Sequence, residues 1–304
     1  MVEHYVTEFA ATDEAITILK PSDLVMVFLV RDDADAGARP MPTLGLRDIR
    51  AAVKELTGHG VSAVKVFASG DRRDAMGSAA LSGGSMMSRA IQEVKAADAS
   101  MTVMTETCLC SYTDTGECHV TDRAGKPDAA ATIDAIAEQA VVQARAGADI
   151  VGPAAMLAGN VRRVRQELDS DGWDIRIMPH LIFDSRLYDG YRRTMDAVPA
   201  CERRVFQVDP RQPARAVRIS LDFIDEGADM LLLEPALFCI DVLVELKRLC
   251  AVPLAPFSVS GEYTSLMRAG GDHRLLLELF TMLKRAGSDQ IITYAAADLA
   301  RELG

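Results

Sequence analysis

The stretch AAATIDAIAEQAVVQARAGADIVGP, Ala129–Pro153, decides the fold. Its first twenty residues place apolar side chains at helical spacing. Gly147 then stops the helix, and the β-rich run DIVGP begins at once. A glycine stop followed directly by a strand is the short αβ connection of a parallel sheet. The same step recurs downstream. PARAVRISLDFIDEGAD leads into MLLLEP (Met230–Pro235), and HRLLLELFTMLKRAGSD leads into QIITY (Gln290–Tyr294). Upstream, LRDIRAAVKELTGHG is a further amphipathic helix with a terminal glycine. Working outward gives the remaining strand candidates: VMVFLV (Val25–Val30), AVKVFA (Ala63–Ala68), TVMTET (Thr102–Thr107), DIRIMPH (Asp174–His180) and PLAPFSV (Pro253–Val259). With DIVGP that makes eight strands alternating with helices, the number that closes an α/β (β/α)8 TIM barrel. An open doubly wound sheet is the alternative, and it is weakened because no GxGxxG follows the first strand. The barrel is expected over residues 21–304, with a short N-terminal arm over residues 1–20.

Composition narrows the function. The chain has 304 residues, with 33 Lys and Arg against 44 Asp and Glu, for a net charge of −11. At 49% hydrophobic and 25% charged it has ample material for a core, which excludes disorder over most of its length. An acidic chain without a basic stripe is a poor nucleic-acid binder. No apolar run approaches the roughly 18–20 residues of a membrane span. The start, MVEHYVTEFAATDEA, is acidic and has no signal-peptide core, so a cytoplasmic location is expected.

In such barrels chemistry sits at the C-terminal ends of the strands. Here those ends carry Glu106, Cys108 and Cys110, then Gly152-Pro153, His180, Glu234-Pro235, Ser258 to Tyr263, and Tyr294. Three of the six cysteines, Cys108, Cys110 and Cys118, fall in a CxC-x7-C pattern. Cys108 and Cys110 are two apart, and so share one side of an extended segment. Asp114 and Gly116 in the following loop are turn formers that can fold Cys118 back beside them. Three soft thiolates suit Zn²⁺, with a fourth position either open, as in a catalytic site, or filled by His119 or Asp114. Unconnected thiols or a redox pair are the alternatives.

The segment TETCLCSYTDTGECHV resembles the zinc-binding segment of the porphobilinogen synthase (5-aminolevulinate dehydratase) family. AGADIVGPAAMLAGNVRRVRQEL, ERRVFQVDPRQPARAV, EGADMLLLEPAL, PFSVSGEYTSLMRAG and LKRAGSDQIITYAAADLA are similar to the same family in order and spacing, from about Pro21 to the C-terminus. The resemblance implies a (β/α)8 barrel with an N-terminal arm, assembled as a homo-oligomer, dimer to octamer. It implies condensation of two 5-aminolevulinate molecules into a pyrrole, one held as a Schiff base on lysine and the other at a three-cysteine zinc. Cys108, Cys110 and Cys118 match the zinc ligands. Arg193 and Arg203 match arginines that grip a substrate carboxylate, a task suited to a bidentate guanidinium on general grounds. Gln207 lies in the same lid segment, Asp189–Gln207. Ser260 and Tyr294 match contacts to the carboxylate of the Schiff-base substrate.

The departures from the family are specific. Its Schiff-base lysine, in V-K-P-A-L, is Glu234 here, in Leu233-Glu234-Pro235-Ala236-Leu237. Its second lysine is Phe183, and the tyrosine preceding that lysine is His180. A carboxylate cannot form an imine. Asn-Asp before a helix is replaced by Ala129-Ala130, and a magnesium-binding glutamate by Ile219. Of the seven lysines, only Lys65 interrupts an apolar strand. If it points inward, its pKa falls and it becomes a nucleophile or the partner of Glu234; if outward, it snorkels between helices. The sequence thus favours a zinc lyase working without an imine on a small amino-keto acid or related carboxylate, with Glu234 and His180 as acid–base groups. A non-catalytic partner of an authentic synthase, and porphobilinogen synthesis without an imine, are the alternatives.

Overall fold

The three helix-stop glycines behave as their sequence demands. Gly147, Gly227 and Gly287 have φ of 108°, 104° and 114°, in the left-handed region that favours glycine. Each begins a turn that delivers an aspartate two residues later. Asp149, Asp229 and Asp289 accept backbone hydrogen bonds from Val103, Ile177 and Leu254, at 2.7, 2.7 and 2.9 Å. The same carboxylates pair with Lys95, Arg165 and Lys247. One repeated Gly-x-Asp step therefore fastens three helix ends to the strand starts at one end of the sheet.

The computed structural model describes residues 16–32, 39–70, 72–199, 206–268 and 273–304. Among them the strands are β1 (Leu24–Val30), β2 (Ala63–Ala68), β3 (Thr102–Thr107), β4 (Ile150–Pro153), β5 (Arg176–Ile177), β6 (His180–Ile182), β7 (Leu231–Glu234), β8 (Leu254–Pro256) and β9 (Ile291–Thr293). All pairings are parallel. They run in the order β5-β4-β3-β2-β1-β9 in one sheet and β6-β7-β8 in another. β5 and β6 are two halves of one strand, because Pro179 has no N–H to continue the ladder. The Pro179 carbonyl still accepts from Leu232, at 3.1 Å. A single parallel bridge, Phe257↔Ile292, spans β8 to β9 on the other side. This is the expected (β/α)8 barrel, with its fifth strand broken where a continuous run was expected.

Among the described residues, eight helices clothe the strands: α1 (Ile49–Gly58), α2 (Met86–Ala97), α3 (Ala129–Ala146), α4 (Asn160–Ser170), α6 (Pro213–Asp225), α7 (Ile240–Leu249), α9 (His273–Ala286) and α10 (Ala296–Leu303). Two more, α5 (Asp189–Thr194) and α8 (Ser260–Arg268), follow β6 and β8. Strand alternation separates two cores. Val25, Val27, Leu29, Met104, Met178, Leu232 and Ile292 fill the barrel interior. Leu181, Leu231, Leu233 and Leu254 pack outward against the helices. Of the arm expected over residues 1–20, only residues 16–20 are described, and Leu19 is buried against the outer core.

Candidate active site

β3 supplies one wall of the site. Alternation sends Met104, Glu106 and Cys108 to the same side, so the apolar interior gives way to a carboxylate and then a thiol at the strand end. Helix α3 braces this end from behind. Gln143 takes hydrogen bonds from the Thr105 and Thr107 hydroxyls, both at 2.7 Å, and donates to the Glu106 carbonyl at 2.9 Å. One turn earlier, Gln139 donates to the Cys108 carbonyl at 3.1 Å. The loop beyond returns through Gly116, whose φ is 69°. A Cβ there would lie 2.4 Å from the Val198 carbonyl oxygen, so only glycine lets the loop pack on the segment after α5. Arg73 ties the same pieces together, donating to the carbonyls of Cys110, Thr113 and Met195.

The result is a cluster of thiols. The Cys108 and Cys110 sulfurs are 3.4 Å apart, and all three sulfurs lie within 4.8 Å of one another. Cys108 and Cys110 are buried, Cys118 half-buried. Hydrogen bonds from the other two thiols hold Cys118 well below the ordinary thiol value, and push Cys108 well above it. Among the described residues no carboxylate or imidazole joins this group, so His119 and Asp114 leave the fourth position open. The His119 ring packs edge-on against Phe206 instead, at 5.5 Å.

Strands β2, β6 and β7 contribute a chain of three polar side chains. Lys65 points into the barrel and is fully buried. Its Nζ donates to the Thr105 carbonyl at 2.8 Å and lies 2.9 Å from His180 Nε2. His180 Nδ1 lies 3.0 Å from Glu234 Oε1. Burial brings Lys65 down to about 7, with Glu106 and Glu234 opposing the shift. Burial, then repulsion from Glu106, pushes Glu234 up to about 8. Burial, aided by the Lys65 charge, holds His180 well below its ordinary value, so the ring is neutral. Glu106 is also held well above the carboxylate range by burial and by Cys110, and accepts a hydrogen bond from the Tyr191 hydroxyl at 2.8 Å.

Most of these groups face one cavity at the barrel mouth. The three cysteines, Glu106, His180, Glu234, Gln207, Ser260 and Tyr294 line it. The Gln207 Oε1 atom and the Tyr294 hydroxyl are buried without a protein partner, as groups meant for a ligand would be. Lys65 does not line this cavity, and its Nζ contacts the lining residue His180.

Other expected site residues are placed differently. Arg193 is exposed, and its side chain donates to the Asp189 carbonyl at 3.3 Å. The neighbouring Arg192 takes the place expected of it, because on α5 successive residues point about 100° apart. Its guanidinium lines the cavity, stacks 5.0 Å from the Tyr188 ring, and makes only long contacts, 3.5 Å each, to Ser185 and Asp189. Phe183 faces the outer core, one step out of phase with the inward His180 and Ile182, and does not line the cavity. Ser260 lines it, but its hydroxyl accepts from the Tyr191 N–H and donates to the Leu187 carbonyl, both at 3.0 Å, so it positions the segment carrying Tyr191. Arg203 lies outside the described residues. Sequence reasoning missed Arg192, Tyr188, Tyr191 and the role of Glu106. Only Glu106 left a signal, through its β3 alternation with Cys108.

The sequence pattern of the delta-aminolevulinic acid dehydratase family matches residues 5–302. The chain belongs to that family. A delta-aminolevulinic acid dehydratase of Halalkalibacterium halodurans is 36% identical over 86% of this chain and 81% of its own. The Bacillus subtilis enzyme of the same name is 33% identical over 94% and 92%. A crystal structure of delta-aminolevulinic acid dehydratase (porphobilinogen synthase) from Toxoplasma gondii, in complex with the reaction product porphobilinogen, superposes with a TM-score of 0.90. It is 28% identical and covers 94% of this chain and 86% of the other. As a delta-aminolevulinic acid dehydratase family member, the chain shares its fold with a lyase-type enzyme. Among the described residues no helix is long and apolar enough to cross a membrane.

Proposed function

We propose that this protein is a zinc lyase that condenses, dehydrates or cyclises a small amino-keto acid, without forming an imine on lysine. The observation that carries the reading is the cavity lining, which brings three thiols together with Glu234 and His180 and, among the described residues, includes no lysine. The product bound in the Toxoplasma structure and the names of the bacterial relatives support 5-aminolevulinate as the first substrate to test.

The thiol cluster fits zinc. Thiolates about 2.3 Å from a tetrahedral zinc lie roughly 3.8 Å apart, within the spread of the three sulfurs, and a three-ligand site keeps a position open. Zinc held by Cys108, Cys110 and Cys118 would polarise a carbonyl or lower the pKa of a bound water. Arg192 offers spare donors to a carboxylate, and Gln207 and Tyr294 offer unpartnered polar atoms. Glu234, titrating near neutrality in a buried site, is suited to take and return protons, with His180 fixing its orientation. The protein acts as a homo-oligomer in this reading, which sedimentation velocity tests.

The deciding assay gives the zinc-loaded protein 5-aminolevulinate, with borohydride added to a parallel sample. Turnover without a borohydride-trapped adduct, lost in Cys118→Ala, is the expected result. A metal-free protein, activity indifferent to Cys118→Ala, or a trapped lysine adduct would sink the reading.

A further inference from the structure

We propose that Lys65, His180 and Glu234 form a proton relay, in which Glu234 exchanges protons with the substrate and the buried Lys65 amine stores them. This deepens the reading above and rests on it for the substrate class.

The three groups form one line leading inward from the cavity. Only Glu234 and His180 touch the cavity, while Lys65 is fully buried beneath them. Thr105 offers Nζ a carbonyl, which only accepts, so one amine hydrogen is committed there. What remains faces His180 Nε2 at 2.9 Å, and the far ring nitrogen faces Glu234 Oε1 at 3.0 Å. Room for this amine is provided by Gly152: a Cβ there would lie 2.5 Å from Nζ and 2.9 Å from His180 Nε2. The glycine, the lysine and the histidine thus form one fitted unit across β4, β2 and β6.

Two arrangements satisfy every hydrogen bond. In the first, a Lys65 ammonium donates to Nε2, and Nδ1–H donates to the Glu234 carboxylate. In the second, Nε2–H donates to a neutral Lys65 amine, and a protonated Glu234 donates to Nδ1. Moving one proton from Nζ to Nε2 and one from Nδ1 to Oε1 converts the first into the second with no change in total charge. In the catalytic direction Glu234 takes a proton from substrate carbon or nitrogen. It passes that proton to Nδ1, while Nε2–H passes to Nζ. The carboxylate is regenerated, and the proton rests on Lys65. The reverse steps return it to a departing hydroxyl, so the substrate loses one proton and one hydroxide as water. With Lys65 near 7 and Glu234 near 8, neither end traps the proton. The other groups facing Glu234 are Glu106 from β3, Arg192 from α5, Tyr188, Tyr294 and Glu262. Among the described residues, none of them hydrogen-bonds to both Glu234 and Lys65.

The test reads the imidazole directly. In the full-length zinc-loaded protein labelled with ¹⁵N-histidine, the His180 signals are those absent from His180→Asn. The ring is expected to stay neutral, and its two nitrogen shifts should show an inflection as Lys65 titrates near 7. Lys65→Met should abolish that inflection. Gly152→Ala, which displaces the amine without removing it, should move it, and serves if Lys65→Met does not fold. Flat ring shifts from pH 6 to 9 in the parent, or an unchanged inflection in both variants, would overturn the relay. A borohydride adduct on Lys65 would overturn it too, since the amine would then be a nucleophile. Binding of 4-oxopentanoate, measured by calorimetry on the same samples, separates the two ideas. Binding with flat ring shifts removes the relay alone. An inflection lost in Lys65→Met, without keto-acid binding, supports the relay and removes the proposed substrate class.

Discussion

The two ends of this barrel solve opposite problems with similar residues. At the end where strands begin, aspartates meet partners on every side: Asp149, Asp229 and Asp289 each accept a strand N–H and pair with a cation. At the end where strands finish, Glu106 and Glu234 are buried with too few positive neighbours, and their pKa values rise. The first arrangement lowers the energy of the charged fold. The second keeps carboxyls poised between two protonation states, which costs stability and serves proton transfer. The difference lies in partners and burial, not in residue type.

Changes at the mouth should break chemistry and spare the fold. Glu234→Gln keeps the shape and removes the titrating group, so turnover of 5-aminolevulinate should fall about 10²–10⁴-fold, as for loss of a general acid–base. Steady-state assays check this, with zinc content unchanged. Next, Arg192→Ala should raise KM about 10–100-fold through loss of a charge-assisted contact to a carboxylate. Arg193→Ala, on the exposed side of the same helix, should leave KM within about twofold.

The same comparison sets the pH dependence of stability. Glu234 has a folded-state pKa of about 8 against an ordinary 4.5. The folded chain therefore binds the extra proton between those values, and stability falls as pH rises through the window. Lys65 has a folded-state pKa of about 7 against 10.5. There the unfolded chain binds the extra proton, and stability rises with pH from about 7 to 10.5. Thermal melts across pH should show Glu234→Gln raising Tm most at and above pH 8, with a flatter decline below it, and Lys65→Met flattening the alkaline rise. The smallest effect belongs to the opposite end. Asp289→Ala should cost about 1–2 kcal/mol, because the Leu254 N–H loses its side-chain partner and the exposed Lys247 pair adds little. Its kcat should not change.

Much of this was legible in the chain. The Gly-x-Asp steps and eight β-rich runs are local signals, set by glycine's access to positive φ and by side-chain periodicity. They marked the barrel and its mouth without any knowledge of contacts. Cys108, Cys110 and Cys118 were legible for the same reason, since two-residue spacing and a turn are short-range facts. Arg193 was misread because one position along a helix rotates a side chain by about 100°, and no local signal distinguishes it from Arg192. Phe183 was misread because the interruption at Pro179 obscures which residues of the fifth strand face inward. Matching a sequence position did not establish which way its side chain points.

The resemblance read from the sequence by itself matched Glu234 to the family's Schiff-base lysine, and the sequence showed that one apolar strand carries a lysine. Those are statements of composition at known positions. Only the tertiary structure decided what they mean together. Lys65, His180 and Glu234 are separated by 115 and 54 positions, and they meet because β2, β6 and β7 turn their inward faces to one barrel axis. The shifts that make them useful are equally non-local. Burial and the charges of distant strands set a pKa, and both arise only when the barrel forms.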